Sequence, residues 1–354
     1  MIYILTVYDS PNYGSYLQAL SLKTILEKYD KVAFLDIHHQ SVLKQSLVKI
    51  CGHIYRRRFA GISFEIKKYK TFKALKKKMP IVDMKNAESD SIYVFGSDEI
   101  WNVNRSKFLN SPEFFGIGLK SGYKIAYAPT INTVKKEDMK THTQLLDGIS
   151  KFDFISVRDD NSKNVLSDLI DNDITVVTDP TFIFGIDNFK KMQTLPQIKD
   201  KYVMIYTYTR MFKNDEQVNA VISACHKRGY KVISVGKYFK WCDLSVAADS
   251  SEFLGYVNNA ECVITDTFHG TVFSILYRKN FVEVNPAQKI KNMLSDFGLN
   301  NCVISNVTEI ESIIDKKTDY SVADIKQAEK VEKSLKYLDN AVKTVLDKKE
   351  NKKV

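Results

Sequence analysis

The chain has 354 residues, 44% hydrophobic and 27% charged, proportions that exclude a fibrous or disordered polymer and point to a globular protein with a large core. Its net charge of +10 is unevenly placed: twelve of the 52 Lys/Arg and one of the 42 Asp/Glu fall between Lys44 and Lys78, leaving 40 basic against 41 acidic residues elsewhere, so the protein is nearly neutral apart from one strongly basic segment. Five cysteines, at 51, 225, 242, 262 and 302, form no C-x-x-C pair, which speaks against a zinc site or a disulfide framework and fits a reducing cytoplasm.

The opening MIYILTVYDS lacks a basic leader and meets Asp9 early, unlike a signal peptide. No run approaches the roughly 18–20 apolar residues of a membrane span. In chain order, Ile2–Tyr8 predicts a buried strand and Asp9–Gly14 a turn. Ser15–Tyr29 predicts a helix with Leu17, Leu20, Ile25 and Leu26 at helical spacing, and Val32–Ile37 a second strand. This is a strand–helix–strand opening of Rossmann type without G-x-G-x-x-G. Residues 44–78 interleave Leu47, Ile50, Ile54, Tyr55, Phe59, Phe64 and Phe72 with their Lys and Arg. Such a stretch fits either a solvated helical face or an anionic membrane surface. No DNA- or RNA-binding motif accompanies the charge, so nucleic acid is not the expected partner.

Short apolar runs follow at Ile92–Phe95, Lys124–Ala128, Phe154–Val157 and Ile174–Thr178. Each ends in polar or small residues, which implies a parallel sheet built from strands alternating with helices. The weakly periodic stretch 185–200, with Pro196, marks a domain boundary and divides the chain into 1–190 and 191–320. Beyond it Tyr202–Tyr208, Lys231–Val235, Glu261–Thr265, Phe281–Val284 and Cys302–Ser305 read as strands. Asn214–Lys227, Glu252–Asn259, Thr271–Tyr277 and Lys289–Phe297 read as helices, with Ser251 as N-cap of the second. In 321–354, Val322–Lys349 reads as one amphipathic helix with Ile325, Val331, Leu335, Leu338, Val342 and Val345 along a face. Such a helix has room to pack back on the first domain.

Several strand ends carry candidate chemistry. After Val263–Thr265 the chain turns at Asp266-Thr267-Phe268-His269 and continues through Gly270 and Thr271 as a helix. An imidazole there suits general acid–base work, and the first helical N–H groups suit an anion; a helix-capping turn with a satisfied histidine explains the same pattern. Gly96-Ser97-Asp98-Glu99-Ile100-Trp101-Asn102 offers Asp98 to orient or deprotonate a sugar hydroxyl and Trp101 to stack on a sugar face. Its structural alternative is a helix cap with Trp101 in the core. Asn12-Tyr13-Gly14 reads as a cleft loop or as turn chemistry. Arg158 reads as a cation for phosphate or carboxylate, or as a surface partner of Asp159. Asp179-Pro180-Thr181 reads as a tight turn. The carboxylates and histidines lack metal-ligand spacing, so no metal is expected.

Taken in order, Asn12–Leu20, Gly96–Asn102, Ser156–Asp159, Asp179–Thr181 and Thr265–Ser274 resemble the motifs of the polysaccharide pyruvyl transferase family, over about residues 1–300. The resemblance implies a GT-B-like fold, two Rossmann-like domains facing across a cleft. It also implies transfer of pyruvate from phosphoenolpyruvate, as co-substrate and with no other cofactor, to a sugar of a capsule, exopolysaccharide or cell-wall precursor, free or lipid-linked. His269 matches the family's proposed catalytic histidine, and Arg158 falls where an anion-binding arginine is expected. Gly270 and Thr271 would then hold phosphate through their N–H groups, while Asn12, Tyr13, Gly14, Ser97, Asp98, Trp101 and Asn102 face the acceptor. One departure stands out: many members carry arginine two positions before the histidine, and this chain has Thr267. Arg158, Lys237 or Arg210 would have to supply the missing cation. A nucleotide-sugar glycosyltransferase of the same fold and a non-catalytic glycan- or membrane-binding scaffold remain as rival expectations. The expected location is the cytoplasm, free or on the inner face of the plasma membrane, and the oligomeric state is open.

Overall fold

A computed structural model describes residues 1–37, 42–55, 58–209 and 211–352, with backbone alone at 42–45. Arg210, and with it Arg56 and Arg57 of the basic segment, lies outside the described residues.

The first sheet contains β1 (Ile2–Leu5), β2 (Val32–Asp36), β3 (Ile81–Asp83), β4 (Ser91–Phe95), β5 (Gly122–Ala126), β6 (Phe154–Val157) and β7 (Ile174–Val176), in spatial order 3-2-1-4-5-6-7. The second contains β8 (Tyr202–Tyr206), β9 (Lys231–Val235), β10 (Leu244–Val246), β11 (Cys262–Thr265), β12 (Asn280–Val284) and β13 (Val303–Ile304), in order 10-9-8-11-12-13. Every strand pair among the described residues is parallel. The central runs IYIL and SIYVF are buried at every position, as strands covered by helices on both faces must be. Strand order reverses between β1 and β4 in one sheet and between β8 and β11 in the other. Doubly wound sheets bind ligands at the carboxyl ends beside such a reversal.

Local reading of the sequence missed β3 and β10, three-residue edge strands too short for a period to register. The expected cap at Ser251 is corrected to Asp249, whose carboxylate accepts from the N–H groups of Ser251 and Glu252, while Glu252 accepts in return from Asp249 N–H. The expected stripe of the last helix, Ser321–Asn351, is also shifted. Leu338, Val342 and Val345 are buried with Ala341, whereas Ile325 and Leu335 are exposed.

That helix starts on the second domain, where Tyr320 Oη donates to Lys279 O at 2.6 Å. It then runs onto the first domain, where Tyr337 Oη donates to Ala126 O at 3.0 Å and Ser334 Oγ accepts from Thr178 N–H at 2.9 Å. The seam between the two sheets is aromatic. Tyr13, the first residue of the helix Tyr13–Leu26, stacks on Phe253 at 4.7 Å and donates its hydroxyl to Ala248 O at 2.9 Å. No helix of the described residues is long and apolar enough to cross a membrane.

Candidate active site

The two strand-order reversals deliver their loops to one place. From β4 the chain passes through Gly96, whose φ of +110° and close approach to Tyr127 O exclude a side chain, into Ser97 and Asp98. Gln18, buried in the first helix, donates to Thr6 Oγ1 at 3.0 Å and Val7 O at 3.2 Å and presents Oε1 3.1 Å from Ser97 Oγ. This pins the loop after β1 to the loop after β4. The Asp98 carboxylate accepts from Ser15 Oγ at 2.9 Å and from Glu99 N–H at 2.8 Å.

Asp179 is the hub. Its Oδ1 caps the short helix Pro180–Phe184 by accepting from Thr181 N–H and Oγ1. Its Oδ2 accepts from Arg158 Nη1 at 2.9 Å, lies 3.1 Å from Ser97 Oγ, and lies 3.8 Å from His269 Nε2 on the second domain. Arg158 in turn lies over the Phe268 ring at 4.2 Å, so a guanidinium of one domain is held between a carboxylate of its own domain and an aromatic face of the other. His269 is buried, packs edge-on to Phe268 at 5.2 Å, and its Nε2 has no hydrogen-bond partner among the described residues.

Burial dominates the electrostatics and the charges then compete. Burial pulls His269 below the usual imidazole range; Asp179 and Asp98 pull it back up, and Arg158 and Lys289 oppose them. Burial alone would raise the carboxyl of Asp179, but His269, Arg158 and the Thr181 donors hold it below the usual range. Burial likewise works against Asp98 and is outweighed by Arg158, His269 and Lys107. Desolvation opposes the charge on Arg158, and Asp179, Asp98 and Asp159 more than compensate, so it stays a cation. The result is a buried cation, two carboxylates and an imidazole with a free nitrogen.

A family model for polysaccharide pyruvyl transferase matches residues 12–285, a span that includes every one of these groups. The chain belongs to the polysaccharide pyruvyl transferase family. Among solved structures it is similar to the UDP-N-acetylglucosamine 2-epimerase of Rickettsia bellii, at 10% identity, 98% and 96% coverage of the two chains and a TM-score of 0.55. It is also similar to the UDP-GlcNAc 2-epimerase of Methanocaldococcus jannaschii in complex with UDP-GlcNAc and UDP, at 12% identity, 95% and 99% coverage and a TM-score of 0.52. These likenesses establish the GT-B fold. No curated protein matches the sequence.

Not every residue expected at the pyruvyl transferase site is there. Trp101 is fully buried in the first domain's core, donates Nε1–H to Phe114 O at 2.9 Å and meets Phe152 edge-on, so it offers no face to a sugar. Tyr13 is the seam residue described above. Asn12 caps its helix through Gly14 N–H at 2.9 Å, and Asn102 Oδ1 accepts from Asn104 N–H at 3.2 Å as a turn residue. The proposed phosphate donors are already used. Gly270 N–H donates to Thr267 Oγ1 at 3.0 Å and Thr271 N–H to Thr267 O at 3.1 Å. Thr271 Oγ1 donates inward to buried Glu283 at 2.7 Å. In that first turn only the N–H groups of Phe268 and His269 remain for an anion, among the described residues. Lys237 donates to Thr209 O beside the second sheet.

Lys289 was not foreseen. It forms an ion pair with Glu99 across the cleft and, with Arg158, Phe268 and Asp179, lines a cavity of about 560 Å³. Lys330 and Lys333 of the C-terminal helix line the same cavity. Among the described residues no three His, Cys, Asp or Glu side chains gather as metal ligands.

Proposed function

We propose that the protein transfers the pyruvyl group of phosphoenolpyruvate to two hydroxyls of one sugar in a capsule, exopolysaccharide or cell-wall precursor, forming a ketal and releasing inorganic phosphate. The observation that carries this reading is His269, with its buried, unpartnered Nε2 beside Asp179, Asp98 and Arg158. In the first step the imidazolium gives its proton to the methylene carbon as the first sugar hydroxyl adds to the neighbouring carbon; that hydroxyl's proton returns to the imidazole. In the second step the other hydroxyl displaces phosphate, which leaves with the second proton. The C=C π bond is replaced by one C–H bond and the first C–O bond to sugar, the C–O bond to phosphate is replaced by the second, and no oxidant or reductant is needed. Asp98 and Asp179 favour the protonated imidazole. Arg158 and Lys289 suit the phosphate and carboxylate of the donor. The acceptor would approach from the Ser97–Asp98 side.

The test is phosphate release from phosphoenolpyruvate with candidate glycan acceptors. Turnover by the wild type that is lost in His269→Ala supports the reading; wild-type rates in that variant overturn it.

Thr267 favours a second reading, a glycosyltransferase with a nucleotide-sugar donor. Its hydroxyl is spent on the helix cap, so nothing at that position replaces the guanidinium many members carry. Thermal stabilisation by UDP- or GDP-sugars and not by phosphoenolpyruvate would select it.

A further inference from the structure

On the helix Val42–Tyr55, Leu47, Val48, Cys51, Ile54 and Tyr55 recur at i, i+1, i+4, i+7 and i+8, the spacing of one helical face. All five are exposed, Val48 at 69%, Ile54 at 58% and Tyr55 at 89%. A surface helix ordinarily turns such a stripe inward; this one turns it out. Its other side carries the packing: Ser46 is buried, and His53 meets Tyr238 edge-on at 5.6 Å and roofs Gly61.

The next helix, Phe59–Lys77, continues the surface. Phe59, Ser63, Ile66, Lys67, Lys70, Lys73 and Lys77 share one exposed face, which changes along its length from apolar to a row of lysines. Its inner face holds Phe64, Lys68, Phe72 and Leu75, and Lys68 Nζ donates to Gly236 O of the second domain at 2.6 Å. Among the described residues, six of the eleven exposed large hydrophobics fall between Leu47 and Ile66, so the apolar exposure is concentrated rather than scattered. The acid of the segment, Glu65, is buried, so no carboxylate from within it offsets the lysines on the outer face.

We infer that this helix pair docks the protein on an anionic lipid surface, with the Leu47–Tyr55 stripe and Phe59 in the interface and the Lys67–Lys77 row against headgroup charge. Charge complementarity selects the occupant. An apolar stripe alone would suit a second copy of the chain, but two copies would bring their lysine rows together with no carboxylate from this segment between them, whereas an anionic bilayer satisfies both features at once. Because the inner face of the same helices covers the seam at Gly236, docking holds the cleft close to the membrane, where a lipid-linked glycan would be presented. The docking itself stands whether or not phosphoenolpyruvate is the donor.

The experiment is sedimentation of the full chain with phosphatidylcholine vesicles, with and without phosphatidylglycerol, at rising salt. Binding only to the anionic vesicles, weakening steeply with salt, is expected. Lys67→Glu/Lys70→Glu/Lys73→Glu should weaken it at least about a hundred-fold, and Ile54→Ser/Tyr55→Ser about tenfold, with unchanged melting temperatures because all five side chains face solvent. As a second readout that needs no lost function, an environment-sensitive dye on Cys51, in a Cys242→Ser chain, should shift to the blue on adding anionic vesicles. No vesicle binding by the wild type, binding that survives both variants, or a dimer that Ile54→Ser/Tyr55→Ser dissociates would each overturn the inference, the last by showing that a second copy covers the stripe.

Discussion

Gly14, at the start of the first helix, and His269, in the second domain, are in direct contact: a Cβ on Gly14 would lie 2.2 Å from both Cγ and Nδ1 of the imidazole. The glycine is the floor on which the histidine rests. The ring therefore keeps its position opposite Asp179 only if residue 14 has no side chain. Gly14→Ala is expected to lower kcat about a hundred-fold by shifting the ring. Gly14→Ala/His269→Ala should be no less active than His269→Ala alone, which a double-mutant comparison of phosphate release would check.

Arg158 and Asp179 form a buried pair at 2.9 Å, and removing one partner strands the other. Arg158→Gln should cost about 3–5 kcal/mol of stability. Adding Asp179→Asn should recover much of that stability, read by denaturant unfolding, without recovering turnover, because the neutral pair cannot hold an anionic donor.

How much of this was legible in the sequence depended on how local each signal was. His269 and Asp98 stand on strand-to-turn patterns, so neighbouring residues are enough to mark them as candidates. Asp179 looked like a turn because it is one: Oδ1 caps Thr181 while Oδ2 faces Arg158 and His269, and a short motif reveals only the first role. The sequence leaves Trp101 open between sugar face and core because its strand-end context is the same for both, and only the packing of Phe114 and Phe152 around it decides for the core. Lys289 had no local signal at all. It is one lysine on an amphipathic helix, and domain packing brings it to Glu99. The two Rossmann-like halves were readable because parallel strands are continuously apolar, whereas the short edge strands were not.

Trp101→Phe tests the placement of this indole in the core. The lost indole N–H leaves Phe114 O without its donor, so a loss of about 1–3 kcal/mol in stability is expected. The KM for the glycan acceptor should not move. A rise in acceptor KM at unchanged kcat would return Trp101 to the sugar site.

The proposed acid step would require protonated His269, whose pKa lies below the usual imidazole value, first because of burial. Activity should therefore fall as pH rises through that lowered value. Asp98 is one of two carboxylates that raise the imidazole's proton affinity. In Asp98→Asn that support is gone, and the alkaline limb of kcat/KM should move to lower pH. A limb that stays in place would mean that another group carries the proton.

Lys68 gives a stability test separate from catalysis. Its ammonium is buried between the domains, donates to Gly236 O and lies over the Tyr208 ring at 5.2 Å. Burial first, then Lys49 and Lys237, push its pKa down to about 7, against the opposing pull of Glu65. A lysine with a depressed folded pKa binds fewer protons folded than unfolded between about 7 and its ordinary value, so stability rises with pH across that window and is flat below it. The slope from this group alone approaches about 1.4 kcal/mol per pH unit. Lys68→Met removes the group, so subtracting its unfolding free energy from that of the wild type isolates the effect from every other titration. The difference should climb in favour of the wild type from neutral to alkaline pH. A flat difference would show that water or a rearranged Glu65 keeps the ammonium charged in the folded protein.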